Sequence, residues 1–250
     1  YKELKAATQT GVMPKIFVTG VSPVTLDDLT SGFNILKNII LAKDLQDMMG
    51  FNESEVNTMV DILLNDDREI KISKQKLIQD LKMYYNGYLF NEDAKERVFN
   101  SDMVLYFLSE LSSEKKYPRE IIDMNVRTDY KKVQRLIKLT SDKDKRIENI
   151  NKLKTIITEG SISSEIITNF PLEEIASTNN FVSLMFYLGL LTIDKREDGE
   201  LKLKIPNYII KKMYWNYFEN ILQEQCQIEV DISGLKKSIL DMGYRGNINT

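Results

Sequence analysis

Lys15-Ile16-Phe17-Val18-Thr19-Gly20-Val21 decides how this 250-residue chain is read. Apolar and β-branched residues run together, a glycine interrupts them and Ser22-Pro23 follows, the pattern of a buried strand that delivers polar side chains into a loop. It is the only run of its kind in the first half. Strands of this continuous apolar type belong in parallel sheets covered on both faces. No partner strand is legible elsewhere in the sequence, so the rest of the sheet is expected to be missing or supplied by residues before Tyr1. Thr19, Gly20 and Ser22 stand where the strand ends, and ligands of open parallel sheets bind just beyond such ends. The local alternative is a strand-terminating turn in which Ser22 bonds nearby backbone.

Outward from the strand the period becomes helical. Asn52 with Glu55 three residues on predicts a capped helix carrying Val56, Met59, Val60, Leu63 and Leu64 at helical spacing. Ser73 is expected to cap a second, with Leu77, Ile78 and Leu81 inward and Asn86-Gly87 as a left-handed stop after Tyr84-Tyr85. Ser101 opens a third through Val104, Leu105, Phe107, Leu108 and Leu111. Thr128 caps a fourth with Val133, Leu136 and Ile137 as its stripe, and Ile147, Ile150, Leu153 and Ile157 mark a fifth. Residues 46–175 therefore read as a helical module, with polar connectors near 112–118 and 140–146.

The last third changes period. Asn180 to Leu188 reads as a short apolar helix, followed by strands at Leu190–Asp194 and Glu200–Ile205 joined by Lys195–Gly199. Leu201, Leu203 and Ile205 alternate with Lys202 and Lys204, one set to each face. Pro206 ends the strand. Asn207 then caps a long helix whose pairs Ile209/Ile210, Met213/Tyr214, Tyr217/Phe218 and Ile221/Leu222 repeat every four residues. Helix, hairpin and helix in this order predict a winged-helix-like unit, and fold alone does not say what it does.

Composition removes whole classes of chemistry. With 42% hydrophobic and 28% charged residues the chain has the makings of a folded core. It contains no histidine, which excludes Ser/His/Asp and Cys/His nucleophile pairs and the histidine-based metal sites. Its single cysteine, Cys226, allows neither an internal disulfide nor a thiolate cluster and fits a reducing cytoplasm, the location expected. The longest apolar stretch, Phe181–Ile193, is interrupted by Ser183, Gly189 and Thr192 and falls short of the roughly 20 residues of a membrane helix, so no membrane role is expected. The first residues carry charge with no signal-like apolar core and no initiator Met, so the chain is expected to be part of something longer.

A net charge of −3 argues against a broad nucleic-acid footprint. Locally, Arg127, Lys131, Lys132, Arg135, Lys138, Lys143, Lys145 and Arg146 outweigh Asp129, Asp142 and Asp144. A solvated helix face is the plainer reading and a phosphate contact the other. A winged helix reads DNA with a helix offering Arg, Lys, Asn or Gln to base edges. Phe181–Leu188 has no basic residue, which favours packing or docking for that helix. On the hairpin, Lys195, Arg196, Lys202 and Lys204 are largely cancelled by Asp194, Glu197, Asp198 and Glu200. Neither GxxxxGK(S/T) nor GxGxxG occurs, and Gly243 and Gly246 follow no strand. Asp27-Asp28, Asp66-Asp67 and Glu173-Glu174 read as surface pairs, so no catalytic and no metal-binding residue is assigned.

Phe17-Val-Thr-Gly-Val-Ser-Pro-Val-Thr-Leu-Asp-Asp-Leu-Thr-Ser-Gly-Phe-Asn34 closely resembles the family called AAA-ATPase-like, bacterial P-loop NTPases. Further likenesses follow in order. Gly50-Phe51 with Glu53 and Glu55-Val56 resembles the family's Gly-Phe-Thr-Glu-Glu-Val segment. Tyr85-Asn86-Gly87-Tyr88 with Phe90 resembles its Tyr-Asn-Gly-Tyr-x-Phe. Val98-Phe99-Asn100 followed by Val104-Leu105 resembles its Val-Tyr-Asn-Pro-x-Ser-Val-Leu. Leu188-Gly189-Leu190-Leu191-Thr192 and Leu203-Lys204-Ile205-Pro206-Asn207 resemble its Gly-Tyr-Leu-Thr and Leu-x-Ile-Pro-Asn landmarks. Ser101 and Asp102 stand where the family has Pro and an aromatic residue.

The resemblance implies a full-length ATPase whose phosphate-binding loop and acidic Mg²⁺ ligand lie upstream, often with a PD-(D/E)XK nuclease-like domain downstream. It makes this chain the C-terminal half of the NTPase module, meeting ATP and Mg through the missing N-terminal half and binding neither alone. On that analogy Thr19, Gly20 and Ser22 are the nucleotide-sensing candidates, since a hydroxyl at a strand end can bond the attacking water or the terminal phosphate. Asn34, Asn86, Gly87, Asn100 and Asn207 are motif positions without an assigned role. The expected architecture is mainly α with minor β: a remnant of a parallel P-loop sheet (1–45), a helical lid (46–175), a winged-helix-like domain (176–224) and a linker or tail (225–250). The rival readings are a nucleic-acid adaptor using the winged helix and segment 127–146, with DNA as partner, and a protein-interaction scaffold.

Overall fold

The computed structural model describes residues 2–17, 24–25, 37–123, 142–168, 170–171, 174 and 177–216. They divide between two compact units, Tyr1–Lys211 and Lys212–Thr250. The second unit is described only over 212–216.

Helix dominates, with short strands, as the sequence predicts. After α1 (Lys2–Gln9), three helices form a bundle: α2 (Glu53–Asp66), α3 (Lys74–Tyr85) and α4 (Ser101–Glu114). Asn52 and Glu55 close a reciprocal capping box on α2, its Oδ1 accepting the Glu55 N–H at 3.0 Å and Glu55 Oε2 accepting the Asn52 N–H at 2.8 Å. Ser73 caps α3 as expected. Val56 and Val60 of α2, Leu77 and Leu81 of α3, and Val104, Phe107 and Leu111 of α4 meet in a core closed to water. That burial carries most of the bundle's stability, since helices this short are marginal alone.

Ser101 opens α4, as the sequence predicts, and Asn100 is its cap. Asn100 ends an extended pair, so it already has the extended φ and ψ a cap requires, and its Oδ1 accepts the Met103 N–H at 3.0 Å. The helix also runs through Ser112 and Ser113, where a connector was expected, and ends on Lys115 in the left-handed conformation with its ammonium on Asp67. Three phenols then fasten the chain that follows. Tyr85 donates to the Ile121 carbonyl (2.8 Å), Tyr106 to the Glu120 carbonyl (2.9 Å) and Tyr117 to the buried carboxylate of Asp80 (2.7 Å).

Strands β2 (Gly50–Phe51) and β3 (Phe99–Asn100) pair antiparallel beside the bundle. β1 (Val24–Thr25) pairs in parallel with β5 (Phe170–Pro171). Helix α5 (Lys143–Glu159) leads into β4 (Ser161–Ser163); α6 (Thr178–Tyr187) precedes a hairpin of β6 (Thr192–Glu197) and β7 (Glu200–Lys204). These strands form an antiparallel sheet in the order β4-β7-β6. A helix over 208–216, α7, follows with Asn207 as its cap, the Oδ1 accepting the Ile210 N–H at 3.1 Å.

The hairpin is tighter than its sequence reading. Only Asp198 and Gly199 turn, at φ 52° and 84°, and β6 extends to Glu197. Two consecutive left-handed residues give a turn whose twist matches that of paired strands. The register slips between Ile193 and Lys195. Leu201 and Leu203 face inward as predicted.

Other expectations are corrected. Lys15–Phe17 is irregular and Phe17 is 63% exposed, so the described end of the expected buried strand is neither strand nor buried. A parallel strand, β1, follows just beyond the expected one, and it pairs with β5 of the same chain. α5 begins at Lys143, inside the expected connector at 140–146, because Asp142 Oδ1 caps it through the Asp144 and Lys145 N–H groups. Its buried face is Asn149, Leu153, Ile156 and Ile157, while Ile147 is 46% exposed. Packing against α6 and β4 selects that face over the more apolar stripe through Ile147. Asn86 is extended rather than left-handed, and the positive φ falls on Gly87. Thr19, Gly20, Ser22, Asn34, the Thr128 helix, residues 127–141 of the basic segment and the tail 225–250 lie outside the described residues.

Candidate functional site

The chain leaves α3 at Tyr85 and immediately turns toward the end of the three-stranded sheet. Asn86 Oδ1 accepts the Gly87 N–H at 2.6 Å. Gly87 has φ +120°, and a Cβ there would lie 2.1 Å from the Pro206 carbonyl oxygen. Only glycine lets the 86–88 backbone lie against the corner where β7 gives way to α7. One residue on, Tyr88 and Val98 exchange backbone hydrogen bonds at 3.1 and 2.9 Å, folding the 88–98 loop back on itself.

Leu89 makes the crossing to the sheet. Its N–H donates to Thr192 Oγ1 at 2.7 Å, the Thr192 hydroxyl donates to its carbonyl at 3.1 Å, and the Ile193 N–H donates to the same carbonyl at 3.2 Å. Thr192 thereby supplies donor and acceptor at once in a place sealed from water. Phe90 sets its ring against Phe186 of α6, 6.2 Å between centroids. Behind the loop the buried amide of Gln46 accepts the Phe90 N–H at 2.7 Å and donates to the Tyr88 carbonyl at 3.2 Å.

Arg97 closes the other side. Its half-buried guanidinium donates to the carbonyls of Gly87 (2.8 Å), Ile193 (3.0 Å) and Asp194 (3.3 Å) and to Asp194 Oδ1 (3.3 Å). Burial draws the Arg97 pKa below its ordinary value, and the Asp194 charge pulls back. Val98 and Phe99, next in sequence, press on Gly50, where a Cβ would lie 2.6 Å from Val98 Cγ2. The caps Asn100 and Asn207 share with Tyr85, Tyr88, Met103, Ile209 and Ile210 a small cavity of about 10 Å³.

Asn86, Gly87, Asn100 and Asn207 are thus brought to one seam. The amide oxygens of the three asparagines are each occupied by a backbone N–H, so these residues shape the chain. Gln46 and Arg97 were not singled out from the sequence, and Thr192 only as the end of the Leu188–Thr192 landmark, with no role. Thr192 carried a signal, a polar residue opening a strand straight after the apolar Leu190-Leu191. Arg97 and Gln46 carried none, because their partners are carbonyls of segments remote in sequence.

The hairpin's cations are all engaged. Lys195 pairs with Glu197 (2.6 Å), Lys202 with Glu197 (3.8 Å) and Lys204 with Asp194 (2.5 Å), while Arg196 spans Glu92 (2.7 Å) and Glu165 (2.8 Å). The Arg196 hydrogen bond holds the Glu165 carboxyl below its ordinary range, and Lys195 does the same for Glu197. In α6, every residue from Asn180 to Phe186 is buried. Among the described residues no group of three or more carboxylates or thiols is placed to hold a metal ion, and no helix is long and apolar enough to cross a membrane. Compared with family models, curated proteins and solved structures, the chain matches none of them.

Proposed function

We propose that the chain is the responding part of a P-loop NTPase of the AAA-ATPase-like kind. Its bundle acts as the lid and its sheet with α6 and α7 as a winged-helix-like unit, which ATP and Mg²⁺ bound upstream set in motion. One observation carries this reading. Five of the six segments that carry the family resemblance, 50–56, 85–90, 98–105, 188–192 and 203–207, are far apart in sequence yet meet at the single seam of Gly50, Gly87, Leu89, Val98, Asn100, Thr192 and Pro206; most of the sixth, 17–34, lies outside the described residues. Chance matches to a motif list have no reason to converge. The parallel pairing of Val24 and Thr25 with Phe170 and Pro171 supports the reading further, since Val24 lies two residues beyond Ser22 in sequence. The order α5-β4-β5-α6-β6-β7, with β5 paired elsewhere and the other strands arranged β4-β7-β6, supports the winged-helix comparison.

The nucleic-acid adaptor is the weaker reading. A phosphate at the hairpin has to displace a carboxylate already paired, and α6 has no free polar face to lay in a groove. Calorimetric titration of the chain with Mg-ATP tests the proposal. Binding no tighter than millimolar is expected, and a micromolar constant contradicts the division of labour. A steep fall of DNA affinity with salt, reporting several phosphate contacts, would favour the adaptor instead.

A further inference from the structure

We infer that the α2–α4 bundle and the β4-β7-β6 sheet form one lever: a displacement of either is delivered whole to the other, with no hinge between them. The inference is independent of any nucleotide. It rests on what parting them would expose. The loop after α3 runs directly from Tyr85 of the bundle into β3 and α4, is closed on itself by the Tyr88–Val98 bridge and backed by Gln46, packs Tyr88 beside Tyr85 and Met103, and is fastened to the sheet through Leu89, Thr192 and Arg97. Opening the seam breaks the bonds of the Leu89 N–H and carbonyl, the Thr192 hydroxyl and the Ile193 N–H together, and any movement too small to admit water leaves those groups unpartnered. A hinge needs residues free to change φ and ψ, and the crossing has none. Gly87, the one residue with the conformational latitude, is wedged against Pro206. Tyr88 is held by the bridge, Leu89 by three hydrogen bonds and Phe90 by Gln46 and Phe186. Arg97 reinforces the seam from within the loop, gripping carbonyls on both of its sides, Gly87 of the loop and Ile193 of the sheet.

Native-state hydrogen exchange in low denaturant tests this on the intact chain. The amides of Val60, Leu81 and Phe107 in the bundle and of Leu203 in the sheet are expected to exchange through one shared opening, converging on a common free energy and denaturant slope. Arg97→Ala is expected to speed exchange in both groups by the same factor, about tenfold or more. Sheet amides exchanging through a separate opening of smaller slope, or an Arg97→Ala effect confined to one group, would overturn the inference. Should Arg97→Ala fail to fold, the wild-type slopes decide alone. Mg-ATP titration does not enter, so failure here and failure of the nucleotide reading are separately visible.

Discussion

The same hairpin is tied to the bundle side twice, by opposite means. At Thr192 the tie is neutral, between a hydroxyl and the backbone of Leu89, with every atom sealed from water. Four residues on, at Arg196, it is ionic, a guanidinium between Glu92 and Glu165 on a wet surface. The drawn bonds are similar in length; what differs is the cost of losing them. A buried donor without its partner forfeits a solvation it cannot recover, whereas exposed ions re-solvate and their attraction is screened. The seam is therefore strongest where it carries no charge.

That ranking can be broken by experiment, beginning with the largest effect. Gly87→Ala brings a Cβ onto the Pro206 carbonyl at an unfavourable positive φ, and a loss of about 4 kcal/mol is expected from urea unfolding. Thr192→Val keeps the shape and removes the hydroxyl; it is expected to cost about 2–3 kcal/mol, with Thr192→Ser recovering most of it. Arg97→Ala is expected to cost about 2 kcal/mol, less than the sum of its bonds because the guanidinium is partly solvated. Arg196→Ala is expected to leave the unfolding midpoint almost unchanged, and a loss matching that of Thr192→Val would invert the comparison.

The smallest effect is in pH. Arg196 depresses the folded pKa of Glu165, so that pairing stabilises the fold above the ordinary glutamate pKa and is lost as pH falls through the depressed value. A carboxyl-detected NMR titration should place Glu165 below the ordinary value of about 4.3, and Arg196→Ala should return it there. A Glu165 midpoint unmoved by that substitution would mean the ion pair does not persist in solution.

How much of this was legible in advance depended on the range of the interaction. The capping box at Asn52 and Glu55, the Ser73 cap and the inward Leu201 and Leu203 were readable because each cause lies within a few residues of its effect. The start of α4 at Ser101 was readable but its cap was not, because Asn100 owes its extended backbone to pairing with Gly50, in a strand that precedes the bundle. The face of α5 was read in part: Leu153 and Ile157 are buried as expected, but hydropathy also preferred Ile147, while packing on α6 and β4 turned Asn149 and Ile156 inward.

The sequence by itself determined where the bundle helices and the hairpin lie, and it excluded imidazole chemistry outright, since periodicity, caps and composition act locally or not at all. Tertiary structure alone decided that Gly87 meets Pro206, that Thr192 holds Leu89 and that Arg97 grips both sides of one seam. The physical reason is that a backbone carbonyl is the same acceptor at every residue. Which one a side chain reaches is written in the path of the whole chain.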